Sequence, residues 1–128
     1  MTRVTSPGSA RLLLRVSSGG VRWSVVAANG RVLGASLGLL PDQRAARNDF
    51  LALCPMLANV PVSFGREQGA REWTWRIGDA ETGHVAVSGQ AYERNATARA
   101  AFGRFVLAAT ELCAEASRQV EPARPGQR

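Results

Sequence analysis

His84 is the one imidazole in the chain, so any histidine-based general base, metal ligand or proton relay must be built on it. A Ser-His-Asp arrangement would need Ser88 or Ser36 beside it with Asp79 behind, but no G-x-S-x-G elbow accompanies either serine. Cys54 in "FLALCPML" and Cys113 in "ATELCAEA" have apolar neighbours and no CxxC spacing. With one histidine in the chain they fall short of a zinc ligand set, and they read as two small buried hydrophobes. Asp79 with Glu81 belongs to a turn, and Asp42 with Asp49 to the solvent side of a helix. The glycine runs "SSGG" and "SFGREQG" lack the Lys-Ser/Thr that completes a phosphate loop. The expectation is a chain with no catalytic residue, no metal and no cofactor, and with His84 an exposed residue at a strand start.

Charge is the more informative feature. The net charge of +6 comes from sixteen arginines and no lysine. Arginine suits phosphate forks and base edges, whereas a total absence of lysine beside so much Ala, Gly and Val suits a coding bias. Period-two alternation puts Arg11, Arg15, Arg22, Arg31 and Arg76 on one sheet face, with Ser24, Thr74 and His84 between them. Sheets do present arginine to nucleic acid, so Arg11, Arg15, Arg22, Arg31, Thr74, Arg76 and His84 form the candidate nucleic-acid or partner surface. The plain alternative is the solvated side of a sheet covered on its other face, with Glu72 diluting the charge. An unknown protein partner is the third reading. Trp23 and Trp75 are placed in the core, with Trp73 at its margin.

Three strands and a helix must position these residues, twice over. "RLLLRVSSGG" alternates into a strand ending at Gly19-Gly20, and "VRWSVVAANGRVLGAS" gives two strands joined at Asn29-Gly30, where a tight turn needs φ > 0 at both positions. Pro41 and Asp42 suit the first turn of a helix whose face is Ala46, Phe50 and Leu53, and Pro55 stops or kinks it near Leu53 or Cys54. "VPVSFGRE" opens a further strand. A second hairpin follows, with its turn at 79–83, and then a long helix with Ala98, Phe102, Phe105, Ala109 and Leu112 on one face.

The two halves are in register. Trp23 against Trp75 sets an offset of 75 − 23 = 52, at which Ala28 meets Ala80, Ser36 meets Ser88, Ala46 meets Ala98 and Phe50 meets Phe102. The inward set is expected to keep its chemistry as Val25/Ile77, Leu33/Val85, Ala35/Val87, Leu40/Tyr92 and Leu53/Phe105, with Leu12 matched to Phe64. The predicted fold is α+β, a tandem duplication of a β-β-β-α unit. It is an antiparallel sheet with helices packed on one face about a pseudo-two-fold axis, because two units of this size can share a core that one cannot build alone.

The hairpin "WSVVAANGRVLGAS", its looser copy "WTWRIGDAETGHVAVSGQAY" and the helices "ARNDFLAL" and "ARAAFGRF" resemble the YegP-like family of small bacterial proteins over residues 11 to 110. The resemblance implies paired units in one joint sheet and brings no assigned biochemical activity. "LLPDQRAA" after the first hairpin, the absence of lysine and the long second helix depart from that family.

The boundaries follow: a flexible arm over 1–10, one domain over 11–118 made of repeats 11–58 and 60–118, and a disordered tail over 119–128. The apolar run Leu12 to Leu14 falls short of a signal sequence, and no run approaches the ~18 residues that span a bilayer. The expectations are therefore a cytoplasmic, non-enzymatic interaction module with no membrane contact, monomeric in preference to a homodimer. A nucleic-acid-binding protein is the alternative.

Overall fold

The computed structural model describes residues 3–5, 10–66, 69–79 and 83–119, apart from the side chains of 3–5, 79, 83, 84, 118 and 119. Seven strands make one antiparallel sheet: β1 (Arg3–Thr5), β2 (Arg11–Ser17), β3 (Gly20–Val26), β4 (Val32–Ser36), β5 (Val62–Gly65), β6 (Thr74–Asp79) and β7 (Gly83–Ser88). Their spatial order is β1-β2-β3-β4-β7-β6-β5, so a four-stranded meander, β1 to β4, and a three-stranded one, β5 to β7, join where β4 pairs with β7. Helix α1 (Gln43–Leu53) follows the first meander and runs into a 3-10 segment at Cys54–Asn59; helix α2 (Asn95–Gln119) follows the second. Within the expected loose arm, Arg3–Thr5 pairs with β2 from Arg3 opposite Leu13 to Thr5 opposite Arg11. The rest of that arm, turn residues 80–82 and the tail from 120 lie outside the described residues.

Local chemistry sets the element ends. In the β3–β4 hairpin, Ala27 N–H donates to the Arg31 carbonyl and Gly30 N–H to the Ala27 carbonyl, while the Asn29 side chain accepts from Arg31 N–H at 2.9 Å. Gly30 alone of these residues has positive φ, +87°. The loop is thus three residues with glycine in the left-handed position, and not the two-residue turn expected from Asn29-Gly30. Asp42 caps α1, its carboxylate accepting from Ala45 N–H at 2.8 Å, which leaves Pro41 just outside the helix.

The core lies between the sheet and both helices. Trp23 and Trp75 are wholly buried, as expected, and Phe105 of α2 joins them, 6.5 Å from the first ring and 4.7 Å from the second. Phe50 meets Trp23 edge-on at 5.2 Å and Phe102 meets Trp75 edge-on at 5.1 Å. Asp49, expected on the solvent side, accepts the Trp23 indole N–H at 2.8 Å. The Trp75 indole N–H is buried without a partner; at the offset of 52 its would-be acceptor position is Ala101.

That offset recurs in the geometry. Trp23 N–H donates to Ser36 Oγ at 3.3 Å and Trp75 N–H to Ser88 Oγ at 3.4 Å. The isolated bridges Val21 to Leu40 and Trp73 to Tyr92, the register shifts after Val25 and after Ile77, and the helix starts Gln43 and Asn95 all differ by 52. The first strand does not keep it. Trp23 lies opposite Leu14 and Trp75 opposite Phe64, so the residue matching Phe64 is Leu14, not Leu12.

Two expectations about the core are corrected. Val25 lies opposite Gly34 and Ser24 opposite Ala35, so Gly34 and Ser36 share the tryptophan face while Ala35 and its neighbour Val87 point the other way. The physical reason is space. A Cβ on Gly34 would stand 2.6 Å from the Phe105 ring and 2.8 Å from Trp75, so rings of this size demand a bare position beneath them. The second correction concerns the cysteines, which are bonded to each other as Cys54–Cys113 and tie the 3-10 segment to α2 across 59 residues. The two half-buried cysteines meet because α2 packs against the 3-10 segment, which no local pattern announces.

Candidate binding surfaces

With both helices on the tryptophan side, the sheet's other face carries the arginines. Alternation along β2, β3 and β6 is enough to put Arg11, Arg15, Arg22, Thr74 and Arg76 there, as the sequence pattern required. Register then decides which of them meet. Arg15 and Arg22 are directly opposed, and Arg22 Nε donates to the Ser36 carbonyl at 2.8 Å. Arg11 lies opposite Val26 with its Nε buried and without a partner. Arg76 is paired with Val87 and Ser63. It stands three strands from Arg22, about 14 Å at the usual interstrand spacing.

The row joining these arginines is not polar. From β2 to β5, successive pairings run Leu13–Ser24–Ala35–Val87–Arg76–Ser63, and Arg3 of β1 lies opposite Leu13. Ser24, Val26 and Ala35 are buried at 5%, 3% and 6% exposure, and Leu13 and Val87 are half-buried. Beyond them Leu37 is exposed. The arginines of the candidate surface therefore fall into two groups with small and apolar residues between them.

Thr74 and Arg76 line a cleft of about 240 Å³ at the β5 edge with Ser63, Phe64, Gly65 and Arg66. Thr74 Oγ1 donates to the Gly65 carbonyl at 3.5 Å. Arg66 sits over the Trp73 ring at 5.0 Å. The side chain of His84 lies outside the described residues, as does that of Asp79.

Arg31 leaves the set altogether. It closes the β3–β4 loop opposite Ala27, just before β4, and lines a cleft of about 310 Å³ with Leu33, Gln90, Tyr92 and Arg104 of α2. Burial pushes the half-buried Tyr92 hydroxyl above its ordinary range, while the Arg104 and Arg31 guanidinia act in the opposite direction. Tyr92 was missed because it was read with the inward set, and Arg104 because it lies off the apolar helix face that was read. The usable signal was the substitution of Leu40 and Ala52 by Tyr92 and Arg104 at the 52-residue offset.

No group of three or more His, Cys, Asp or Glu among the described residues could hold a metal, and no helix among them is long and apolar enough to cross a membrane.

No protein-family model matches the chain, and no curated protein matches it. Among solved structures, the solution structure of YegP from E. coli, a protein of unknown function, is similar. It aligns with a TM-score of 0.59 over 80% of this chain and 86% of YegP at 16% identity. The likeness is one of fold: this chain is YegP-like in architecture.

Proposed function

We propose that the chain is a non-enzymatic interaction module, made by duplication of a β-β-β-α unit, that binds a polypeptide on the sheet face opposite its helices. Support for the duplication comes from the 52-residue recurrence of bridges, bulges, helix starts and serine acceptors. The reading of function is carried by Leu13 and Val87, half-buried apolar residues of one row across the sheet, with Arg15–Arg22 beside that row and Arg76 continuing it past Val87. Protein interfaces have this anatomy, an apolar centre inside a charged rim. The matching partner segment carries apolar side chains flanked by carboxylates. A nucleic acid would be better served by an unbroken arginine stripe, since phosphates follow one another closely along a strand.

The test compares the chain with two variants, Leu13→Asp/Val87→Asp and Arg22→Glu/Arg76→Glu, each checked for an unchanged fold by circular dichroism. A polypeptide partner retained by the native chain and lost by the Leu13/Val87 variant is the expected result. A partner held equally by both variants overturns it. Anisotropy with labelled duplex DNA and single-stranded RNA supplies the contrary outcome. Binding that falls by orders of magnitude between about 50 and 200 mM salt, and is lost in the Arg22/Arg76 variant, would assign the face to nucleic acid.

The same reading makes the chain a monomer, because β4–β7 pairing already completes the joint sheet; sedimentation near 13.6 kDa, and not twice that, is expected. A cytoplasmic location is proposed from the sequence, and the Cys54–Cys113 bond stands against it, since structural disulfides persist in oxidising compartments. Alkylation of both thiols in intact cells would place the chain in a reducing compartment, and resistance to alkylation in an oxidising one.

A further inference from the structure

The cleft between the β3–β4 loop and helix α2 stands apart from the sheet face. Arg31 and Arg104, from distant parts of the chain, line it together with Tyr92, whose hydroxyl feels both positive charges, and Gln90, Leu33 and Ala27 complete the wall. No carboxylate is among its described lining residues, and neither guanidinium meets one elsewhere among the described residues. Like charges brought together without a counter-ion oppose folding, so a surface that keeps them together suits an anion that neutralises them.

The framework is fixed independently of any ligand. Tyr92 is tied to Trp73 by backbone hydrogen bonds in both directions. The Arg31 backbone is held by the Asn29 side chain, which accepts from its main-chain N–H, and Arg104 rides on a long helix. The fold does not require these side chains. The bridge that Tyr92 makes to Trp73 is made by Leu40 to Val21 in the other half, and Ala52 stands where Arg104 would be. Polar chemistry has been placed at one of two equivalent positions.

We propose that this cleft is a binding site for a small phosphate monoester, its phosphate held by Arg31, Arg104 and Tyr92 and its organic part against Leu33 and Ala27. Three donors arriving from a loop, a helix and a ring suit a tetrahedral dianion, whereas one planar fork would suit a carboxylate. A volume of about 310 Å³ is at the small end of ligand sites. The site does not depend on the sheet-face reading.

Titration of the full chain with phenyl phosphate, followed by amide chemical shifts, tests it. Saturable shifts confined to residues 27–33 and 90–104 are expected, displaced by inorganic phosphate. Arg104→Gln and Arg31→Gln should each weaken binding by about tenfold or more, the usual cost of a lost hydrogen bond to a charged group. Arg15→Gln, exposed on the sheet face, should leave it unchanged. All three variants change exposed side chains, so a preserved amide spectrum separates lost binding from lost folding. Shifts spread over arginines elsewhere, or equal weakening by Arg15→Gln, would overturn the site. Benzoate binding as tightly as phenyl phosphate would overturn the phosphate assignment.

Discussion

Reduction of the Cys54–Cys113 bond should cost this domain a large part of its stability. The bond closes a loop spanning 59 residues of sequence, which includes the 3-10 segment, β5, β6, β7 and most of α2. In the chain-entropy treatment a loop of that length restricts the unfolded chain by about 14 cal/mol/K, or about 4 kcal/mol at 25 °C. A domain of this size loses about 4 °C of Tm per kcal/mol, so Tm should fall by about 15 °C. The packing around the sulfurs is otherwise retained, because both cysteines pack against the core as half-buried residues. The assay is thermal unfolding by circular dichroism of the oxidised chain, the chain in a phosphine reductant, and Cys54→Ala/Cys113→Ala. Thiol counts in denaturant accompany each sample. The reduced chain and the double variant should fall together. Two free thiols in the unreduced chain would refute the bond, and an unchanged Tm on verified reduction would refute the loop-closure reasoning.

The two tryptophans should respond unequally to loss of the indole N–H. Trp23→Phe abandons the Asp49 carboxylate as well as volume, whereas Trp75→Phe removes a donor that has no partner. By chemical denaturation the first should be more destabilising by about 1–2 kcal/mol, and equal costs would contradict it. Tyr92 is the one tyrosine in the chain, so its ionisation can be followed by ultraviolet absorbance. The phenolate should form above the ordinary value of 10.0. Because the folded-state pKa is raised, stability should fall as pH climbs from the ordinary value through the raised one. Arg104→Gln removes the largest opposing charge and should move the transition further up; a downward move would place Arg104 elsewhere.

Much of the architecture follows from short-range rules visible in the sequence. Period-two alternation placed Trp23 and Trp75 on the buried face and Arg15, Arg22 and Arg76 on the other. Glycine at position 30 marked the hairpin, and the i, i+4, i+7 spacing of Ala46, Phe50 and Leu53 marked the helix face. Each depends on neighbours a few residues apart, so it survives without knowledge of the fold. Whatever depends on how strands meet did not survive. Gly34 was passed over in favour of Leu33 and Ala35 because apolar character was counted and ring volume was not. It is Phe105, 71 residues along, that requires a bare backbone there. Arg31 was grouped with strand arginines since loop length cannot be read from an Asn-Gly pair alone.

The sequence by itself determined the sheet, its two faces and the 52-residue recurrence, because backbone geometry imposes fixed periods on side-chain direction. Tertiary structure alone decided that Cys54 meets Cys113 and that an apolar row separates the arginines. It alone brought Arg31, Tyr92 and Arg104 into one cleft. Those contacts are set by strand register and helix docking between segments far apart in the chain, and register is a property of the whole packed sheet.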